Sequence, residues 1–299
     1  MLPISEDRRH LLLVNPAAGG GRTAKLLPDV ERAFANRGLS HRTVTTEALE
    51  HALHEAREAA GRGEMPVVMS GDGLVGQVGG VLAGGDTPLG IVPGGRGNDL
   101  ARVLGIPTDA AGAVAVIAAG AVRRIDVGEV DGHRFLGIAS CGFDSEANRI
   151  ANEAELISGN LVYAYAALRA LAAWRPARFT VTIDGQVHEL SGYTVAAANN
   201  KAYGGGMFLA PDAQLDDGKL DVVMTGDVGK LKFLANLPKV FKGAHTDNEE
   251  VTVLRGAEVE IAADREFAVY ADGDHLADLP VKLRVLHRAL GVLAPQPAG

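Results

Sequence analysis

The chain has 299 residues, 47% of them apolar, with a net charge of −8 and one cysteine. The apolar share excludes a disordered chain, the length suits two domains with their own cores, and the negative balance speaks against DNA or RNA as a partner. A lone cysteine, Cys141, excludes an internal disulfide and fits a reducing cytosol.

The N-terminal MLPISEDRRH is charged, unlike a targeting segment, and the longest apolar run, Ala110 to Val122, is too short to span a bilayer. A cytoplasmic protein is expected, touching membranes only peripherally. Leu11 to Val14 reads as a strand and runs into Asn15 to Arg22, NPAAGGGR. Leu26, Leu27, Val30 and Phe34 then recur at helical spacing, and Ala48, Leu49, Ala52, Leu53, Ala56 and Ala59 form a second helical stripe. Val67 to Met69 leads into Ser70 to Gln77, SGDGLVGQ, and Leu89 to Val92 into Pro93 to Arg102, PGGRGNDLAR. Such alternation over residues 9 to 120 predicts a doubly wound parallel sheet with ligands at the carboxyl ends of its strands.

A glycine loop after a strand is ordinary turn chemistry when it stands alone. Three of them, each carrying polar residues that a turn does not require, indicate backbone N–H groups gathered for phosphate. Neither standard phosphate signature fits. Arg22 and Thr23 stand without the Walker A spacing, and Val44 is followed by Thr45 and Thr46 where a dinucleotide fold would place an acid. Asn98 and Asp99 also read as caps for the helix after them. Arg22 and Arg102 are either phosphate ligands or surface charges.

After Val122 the pattern changes. Ile125 to Val130, Phe135 to Ala139, Phe179 to Ile183, Tyr193 to Ala198, Leu220 to Met224, Val251 to Leu254, Val259 to Ile261 and Phe267 to Tyr270 read as strands. Helices are expected over roughly Asp144 to Trp174 and Val228 to Phe241, with further strand-like runs at Val281 to Leu286 and Leu290 to Ala294. The expected organisation is an α/β nucleotide-binding domain with a parallel sheet over 1–122 and a mostly β, sandwich-like second domain over 123–282. Cys141 reads as a small buried residue, since no motif pairs it with a histidine.

The order NPxxG, GDG, PxGxxND with a following Ala-Arg resembles the diacylglycerol kinase catalytic-domain superfamily, which includes soluble bacterial lipid kinases and the sphingosine and ceramide kinases. The resemblance continues in Arg124-Ile125-Asp126-Val127-Gly128, Tyr203 to Gly206, PDAQLDDGKL from Pro211 to Leu220, and Tyr270-Ala271-Asp272-Gly273-Asp274, and so spans nearly the whole chain. It implies an ATP-dependent lipid kinase that uses Mg²⁺ and converts diacylglycerol to phosphatidic acid, with the first domain completed by about 283–299 and the second domain, 123–282, taking the lipid. The nucleotide contacts it implies are Asn15, Pro16, Gly19, Arg22, Thr46, Gly71, Asp72, Gly73, Gly95, Arg96, Asn98 and Asp99. The acidic pair that supplies the general base maps to Asp272 and Asp274, with Asp272 favoured and Asp72 beside the phosphates. Without the family context, Asp272-Gly273 reads as a β-turn. A structural Mg²⁺ site maps to the carboxylate of Asp217 and the backbone carbonyls of Gln214 and Lys219. Asp126 is expected to organise the domain junction.

The chain departs from the bacterial pattern at Leu74, Gln77, Arg96 and Asp274; SGDGL matches the sphingosine and ceramide kinase version. These departures keep two alternatives in view: a catalytically impaired nucleotide- or lipid-binding homologue, and a kinase of sphingoid bases or ceramide. Arg169, Trp174, Arg175 and Arg178 within Leu156 to Ile183, and Lys230, Lys232, Lys239 and Lys242 within Val228 to Thr246, lie in stretches without an acid. They suggest a basic surface of the second domain for peripheral membrane contact. A homodimer is an open possibility.

Overall fold

The computed structural model describes residues 9–153 and 161–296. Residues 1–8 of the charged N-terminus, 156–160 of the basic stretch and 297–299 of the final segment lie outside them. The chain divides into two compact units, Met1–Val127 with Leu286–Gly299, and Gly128–Val285.

The first unit alternates strand and helix: β1 His10–Val14, α1 Ala18–Asn36, β2 His41–Thr45, α2 Leu49–Gly61, β3 Met65–Ser70, α3 Asp72–Leu82, β4 Gly90–Pro93, α4 Asp99–Val103 and α5 Ala110–Ala119. The four strands pair in parallel in the order β2-β1-β3-β4. Leu11, Leu12, Leu13, Val67, Val68 and Met69 are fully buried, as expected for central strands covered on both faces. Val30, Phe34, Ala52, Ala56 and Ala59 pack beneath them. Leu49, in the predicted stripe of α2, instead stands 43% exposed at the first turn.

The crossing strands are β5 Val122–Val130 and β15 Val281–Leu293. Sequence patterning splits the latter into two runs at His287 and Arg288, but the chain forms one strand. Asp126, fully buried, explains this: its carboxylate accepts hydrogen bonds from His287 Nδ1 at 2.9 Å and from the backbone N–H of Arg288 at 2.6 Å. Those bonds hold Arg288 at φ 48 within the strand. Leu89 N–H donates to Gly291 and Leu293 N–H to Leu89, so the end of β15 runs beside the start of β4.

The second unit contains β6 His133–Phe135, β7 Ile138–Gly142, α6 Phe143–Glu153, α7 Leu161–Ala173, β8 Ala177–Ile183, β9 Gln186–Ala198, β10 Leu220–Gly226, α8 Lys230–Val240, β11 Val251–Gly256, β12 Glu258–Ala263, β13 Ala268–Ala271 and β14 Asp274–Asp278. Among the described residues the strand order is β14-β13-β7-β9-β8-β12-β15-β5-β6, with β10 between β9 and β11. The long β9 pairs with β8 over Gln186–Gly192, and its second half, Thr194–Ala198, lies between β7 and β10. An aromatic cluster closes this core: Tyr193 stacks on Phe233 at 4.1 Å, and Phe143, Trp174 and Phe267 surround them. Cys141 is buried here, and desolvation, with the charge of Asp144 next, pushes its thiol up to about 12, which makes it inert.

One expected strand, Phe135 to Ala139, is broken in two at Leu136 and Gly137. Its backbone is diverted there: Leu136 N–H donates to the carboxylate of Asp272, and the carbonyl of Gly137 accepts from Asn199 N–H.

Candidate active site

In the first unit the three glycine loops meet at the carboxyl ends of β1, β3 and β4. After Val14, Asn15 Oδ1 accepts from the N–H of Ala17 at 3.1 Å, and Thr23 donates its hydroxyl to the carbonyl of Asn15. Gly19, Gly20 and Gly21 follow with φ of 61°, 69° and 86°, a left-handed run that other residues rarely adopt. A Cβ at Gly19 would strike the carbonyl of Gly94, and one at Gly95 would strike Cα of Gly71. The first loop therefore rests on the third, and the third on the second, backbone against backbone. Thr46 borders the group, its N–H bonded to the Val14 carbonyl at 2.8 Å and its hydroxyl to the same oxygen at 3.2 Å. Pro16 is half-buried in the first loop, and Gly73 lies in the first turn of α3.

Asn98 does not cap α4 as its type suggests. It occupies a left-handed conformation, φ 52, and spends its side chain on Gly95, accepting from Gly95 N–H at 2.8 Å and donating to Gly95 C=O at 3.0 Å. The acceptor at the start of α4 comes from a different loop: Asp72 Oδ1 takes the N–H of Leu100 at 3.2 Å. Desolvation, and then the nearby charge of Asp99, raise the Asp72 carboxyl above its ordinary range, while the N–H groups of Leu100, Asp99 and Asn98 oppose the shift. Asp72 and the buried Asp99 thus form an acidic pair beside the second and third loops.

Three arginines belong to the loops or to the helix that follows them. Arg96 is exposed, with Nη2 3.9 Å from the position of a Cβ on Gly20, so its guanidinium reaches over the first loop. Arg102 donates to the carbonyl of Gly97 at 3.0 Å and lies 3.9 Å from Asp99. Arg22 is exposed and lines a cleft of about 570 Å³ with Arg32, Arg37 and Asp109.

In the second unit Asp272-Gly273 is a two-residue hairpin loop between β13 and β14, with Ala271 opposite Asp274 and φ of 53° and 96°. The turn reading of this dipeptide therefore holds, and the carboxylate has a further task. Asp272 Oδ2 accepts from Leu136 N–H at 2.9 Å, and Oδ1 occupies the place where residue 137 would carry a Cβ. Asp274 is exposed at the head of β14.

Asp144, in the first turn of α6, was not singled out by its motif. It accepts from the hydroxyls of Tyr203 at 3.1 Å and Thr194 at 3.2 Å, and desolvation raises its carboxyl despite both bonds. Burial first, and then Asp144, raise the Tyr203 phenol well above its ordinary value. Only the Gly142-Phe143-Asp144 turn into a helix signals Asp144 in the sequence.

The PDAQLDDGKL loop runs into β10. Asp217 Oδ1 accepts from Lys219 N–H at 3.0 Å, and Gln214 and Lys219 are exposed. The next acid, Asp221, is 1% exposed; it takes Arg255 Nε at 2.8 Å and leaves Oδ2 without a hydrogen-bond partner. Desolvation raises Asp221, Arg255 opposes this, and Asp217 and Asp212 add to the rise. The loop is therefore rich in hard oxygens and short of positive charge, and it suits Mg²⁺. Among the described residues, no three His, Cys, Asp or Glu side chains are grouped to hold a metal, so one carboxylate with carbonyls is the available donor set.

Parallel sheet, converging glycine loops and acidic pair define a phosphate-handling α/β domain joined to a β domain. Residues 9–130 match the diacylglycerol kinase catalytic domain, and residues 137–294 match the YegS C-terminal NAD kinase beta sandwich-like domain. The diacylglycerol kinase of Mycobacterium tuberculosis (strain ATCC 25618 / H37Rv) is 34% identical over 302 residues, covering 97% of each chain. That of Bacillus subtilis (strain 168) is 28% identical over 296 residues, again covering 97% of each. A crystal structure of a diacylglycerol kinase from Bacillus anthracis str. Sterne shares the fold, with a TM-score of 0.76 at 24% identity over 97% of each chain. The chain belongs to the diacylglycerol kinase family and is a lipid kinase.

Proposed function

We propose that the protein transfers the γ-phosphoryl group of ATP to the free hydroxyl of diacylglycerol, giving phosphatidic acid and ADP. The convergence of the three glycine loops carries the nucleotide half of this reading: Gly19 against Gly94 and Gly95 against Gly71 gather side-chain-free backbone at the carboxyl ends of the strands, where a polyphosphate can approach, with Arg96 reaching over Gly20 and Asp72 at the start of the following helix. Relatives named diacylglycerol kinase over nearly their full lengths support the acceptor.

In this reading the lipid oxygen attacks the γ-phosphorus, the bridging bond to ADP breaks, and the hydroxyl proton passes to Asp272. The bond from Leu136 N–H keeps that carboxylate in one orientation. Mg²⁺ neutralises charge on the phosphates when bound. In the first unit the role falls to Asp72, with Asp99 beside it. Asp217, with the carbonyls of Gln214 and Lys219, holds a second, structural Mg²⁺ whose charge offsets Asp212 and Asp221. Arg96 grips phosphate from the third loop.

The decisive experiment incubates the protein with labelled ATP, Mg²⁺ and mixed micelles of diacylglycerol, sphingosine, ceramide or monoacylglycerol. Label in phosphatidic acid is expected. Faster labelling of sphingosine or ceramide would transfer the reading to that lipid.

A further inference from the structure

Among the described residues, seven large apolar side chains stand exposed, and three of them, Leu231, Leu234 and Phe241, belong to α8 and its last turn, at 85%, 40% and 55%. They are not scattered. With exposed Ala235 and Pro238 they follow the spacing of one helical face, running the length of the element. The opposite face is anchored in the core, where Phe233 stacks on Tyr193 and Tyr193 donates its hydroxyl to the carbonyl of Val228 at 2.8 Å. A surface helix ordinarily turns its apolar stripe inward. α8 is apolar on both sides, and the outer stripe has no partner among the described residues.

Lysines flank that stripe. Lys230 donates to the carbonyl of Ala172 at 2.8 Å, Lys239 to Asn248 at 2.7 Å and Lys232 to Glu250 at 3.0 Å, while Lys242 stands exposed at the C-terminal end. No acid occurs between Val228 and Thr246. Asp227, Asp247, Glu249 and Glu250 lie beyond its ends, and Glu250 is turned to Lys232 and Asn236. Lys230 also ties the start of α8 to the end of α7, where Leu168, one turn earlier, is another exposed apolar side chain at 56%.

We infer that α8 is an interfacial helix which lies in the surface of an anionic phospholipid bilayer, its Leu231, Leu234 and Phe241 stripe sunk among the acyl chains near the headgroups and the charges of Lys239 and Lys242 toward the lipid phosphates. Apolar insertion and cationic attraction act together at such a surface, which is why an outer face that is both apolar and lysine-flanked is stable against lipid and costly in water. The inference rests on the lipid-kinase reading for its purpose but not for its test. A lysine surface alone, as the sequence suggests, would bind through charge only; this face binds chiefly by insertion.

The full chain, without ATP or diacylglycerol, is sedimented with phosphatidylglycerol/phosphatidylcholine vesicles and with pure phosphatidylcholine vesicles. Binding to the anionic vesicles is expected, with part of it surviving high salt. Leu231→Ser with Leu234→Ser and Phe241→Ser should weaken it by about tenfold or more, and Lys239→Glu with Lys242→Glu should remove its salt-sensitive part. Leu231→Ser alone, at a side chain already 85% exposed, keeps the test independent of folding. Undiminished sedimentation of the serine variants overturns the inference. So does light scattering that shows a wild-type dimer and a monomeric serine variant with equal vesicle binding, since the face would then be a contact between two copies. Activity separates this inference from the kinase reading. The serine variants should keep turnover of dispersed short-chain diacylglycerol while losing turnover of vesicle diacylglycerol. A wild-type protein that sediments with vesicles yet phosphorylates neither form leaves the docking face standing and removes the diacylglycerol assignment.

Discussion

The carboxylate of Asp272 fills the place where Gly137 has no side chain. Any Cβ at residue 137 would overlap Oδ1 of Asp272, while Oδ2 of the same carboxylate holds the N–H of Leu136 at 2.9 Å. Because the obstructed atom ends a rotatable side chain, Gly137→Ala has a cheap escape, which is to rotate Asp272 away. The variant should fold with only a small change in melting temperature, bind ATP normally and lose on the order of 100-fold in kcat, the cost of a misplaced catalytic group. Unchanged kcat would detach the Gly137 contact from the chemistry.

Asp272→Asn should abolish the base while leaving the hairpin intact, because the amide oxygen can still accept from Leu136 N–H. Lipid phosphorylation is expected to fall by ~10²–10⁴-fold. Calorimetric ATP affinity should stay close to that of the wild type. Near-normal turnover would move the role to Asp274 or Asp72.

Asp72 has a pH signature. Its carboxyl is raised from the ordinary value of 3.8 by desolvation and then by Asp99, so the folded state holds the proton more tightly than the unfolded chain does. The stability this lends is fully present below about the ordinary value and is lost as pH rises through the folded value. Asp72→Asn, which can still accept from Leu100 N–H, should therefore melt higher than wild type near pH 7, the gap narrowing as acid is added. The same variant should lose activity, a trade of stability against function. A gap that widens in acid would contradict the desolvation argument.

Glycine substitutions at the loops divide into two kinds. Gly95→Ala sets a methyl group against Cα of Gly71 and 3.1 Å from Asn98 Oδ1, so it should destabilise the first unit by about 1–3 kcal/mol as well as weaken ATP binding. Arg96→Thr touches no such contact. It should leave the melting temperature in place and weaken ATP binding by roughly tenfold, the loss of one charge-assisted phosphate contact. Tighter ATP binding by the threonine variant would show that Arg96 obstructs the loops.

Asp217→Ala should lower thermal stability relative to wild type in Mg²⁺ buffer, the difference shrinking when Mg²⁺ is chelated, and should abolish tightly held metal without raising the KM for ATP. Equal Mg²⁺ content of variant and wild type by elemental analysis would remove the metal from this loop.

Much of the architecture was legible in residue order. Apolar runs ending in NPAAGGGR, SGDGLVGQ and PGGRGNDLAR specify strands buried on both faces with loops at their carboxyl ends, because a parallel sheet leaves few other places for such runs. Where strand boundaries departed from the pattern, a polar residue had a partner distant in sequence. The break between β6 and β7 depends on Asp272, more than 130 positions away, and the unbroken β15 on Asp126, about 160 positions away. Asn98 has the composition of a helix cap, yet the backbone of Gly95 claims its side chain, and Asp72 from another loop does the capping.

The sequence by itself determined a two-part α/β and β chain with phosphate loops and a small set of candidate carboxylates, since periodicity and turn chemistry are local. Only the tertiary structure decided which carboxylate is locked and which face of α8 is covered. In α8 apolar residues occur on both sides, Phe233 and Val240 on one and Leu231, Leu234 and Phe241 on the other, so no periodicity distinguishes them. The aromatic core had room to stack Phe233 against Tyr193, and that packing left the second stripe facing outward.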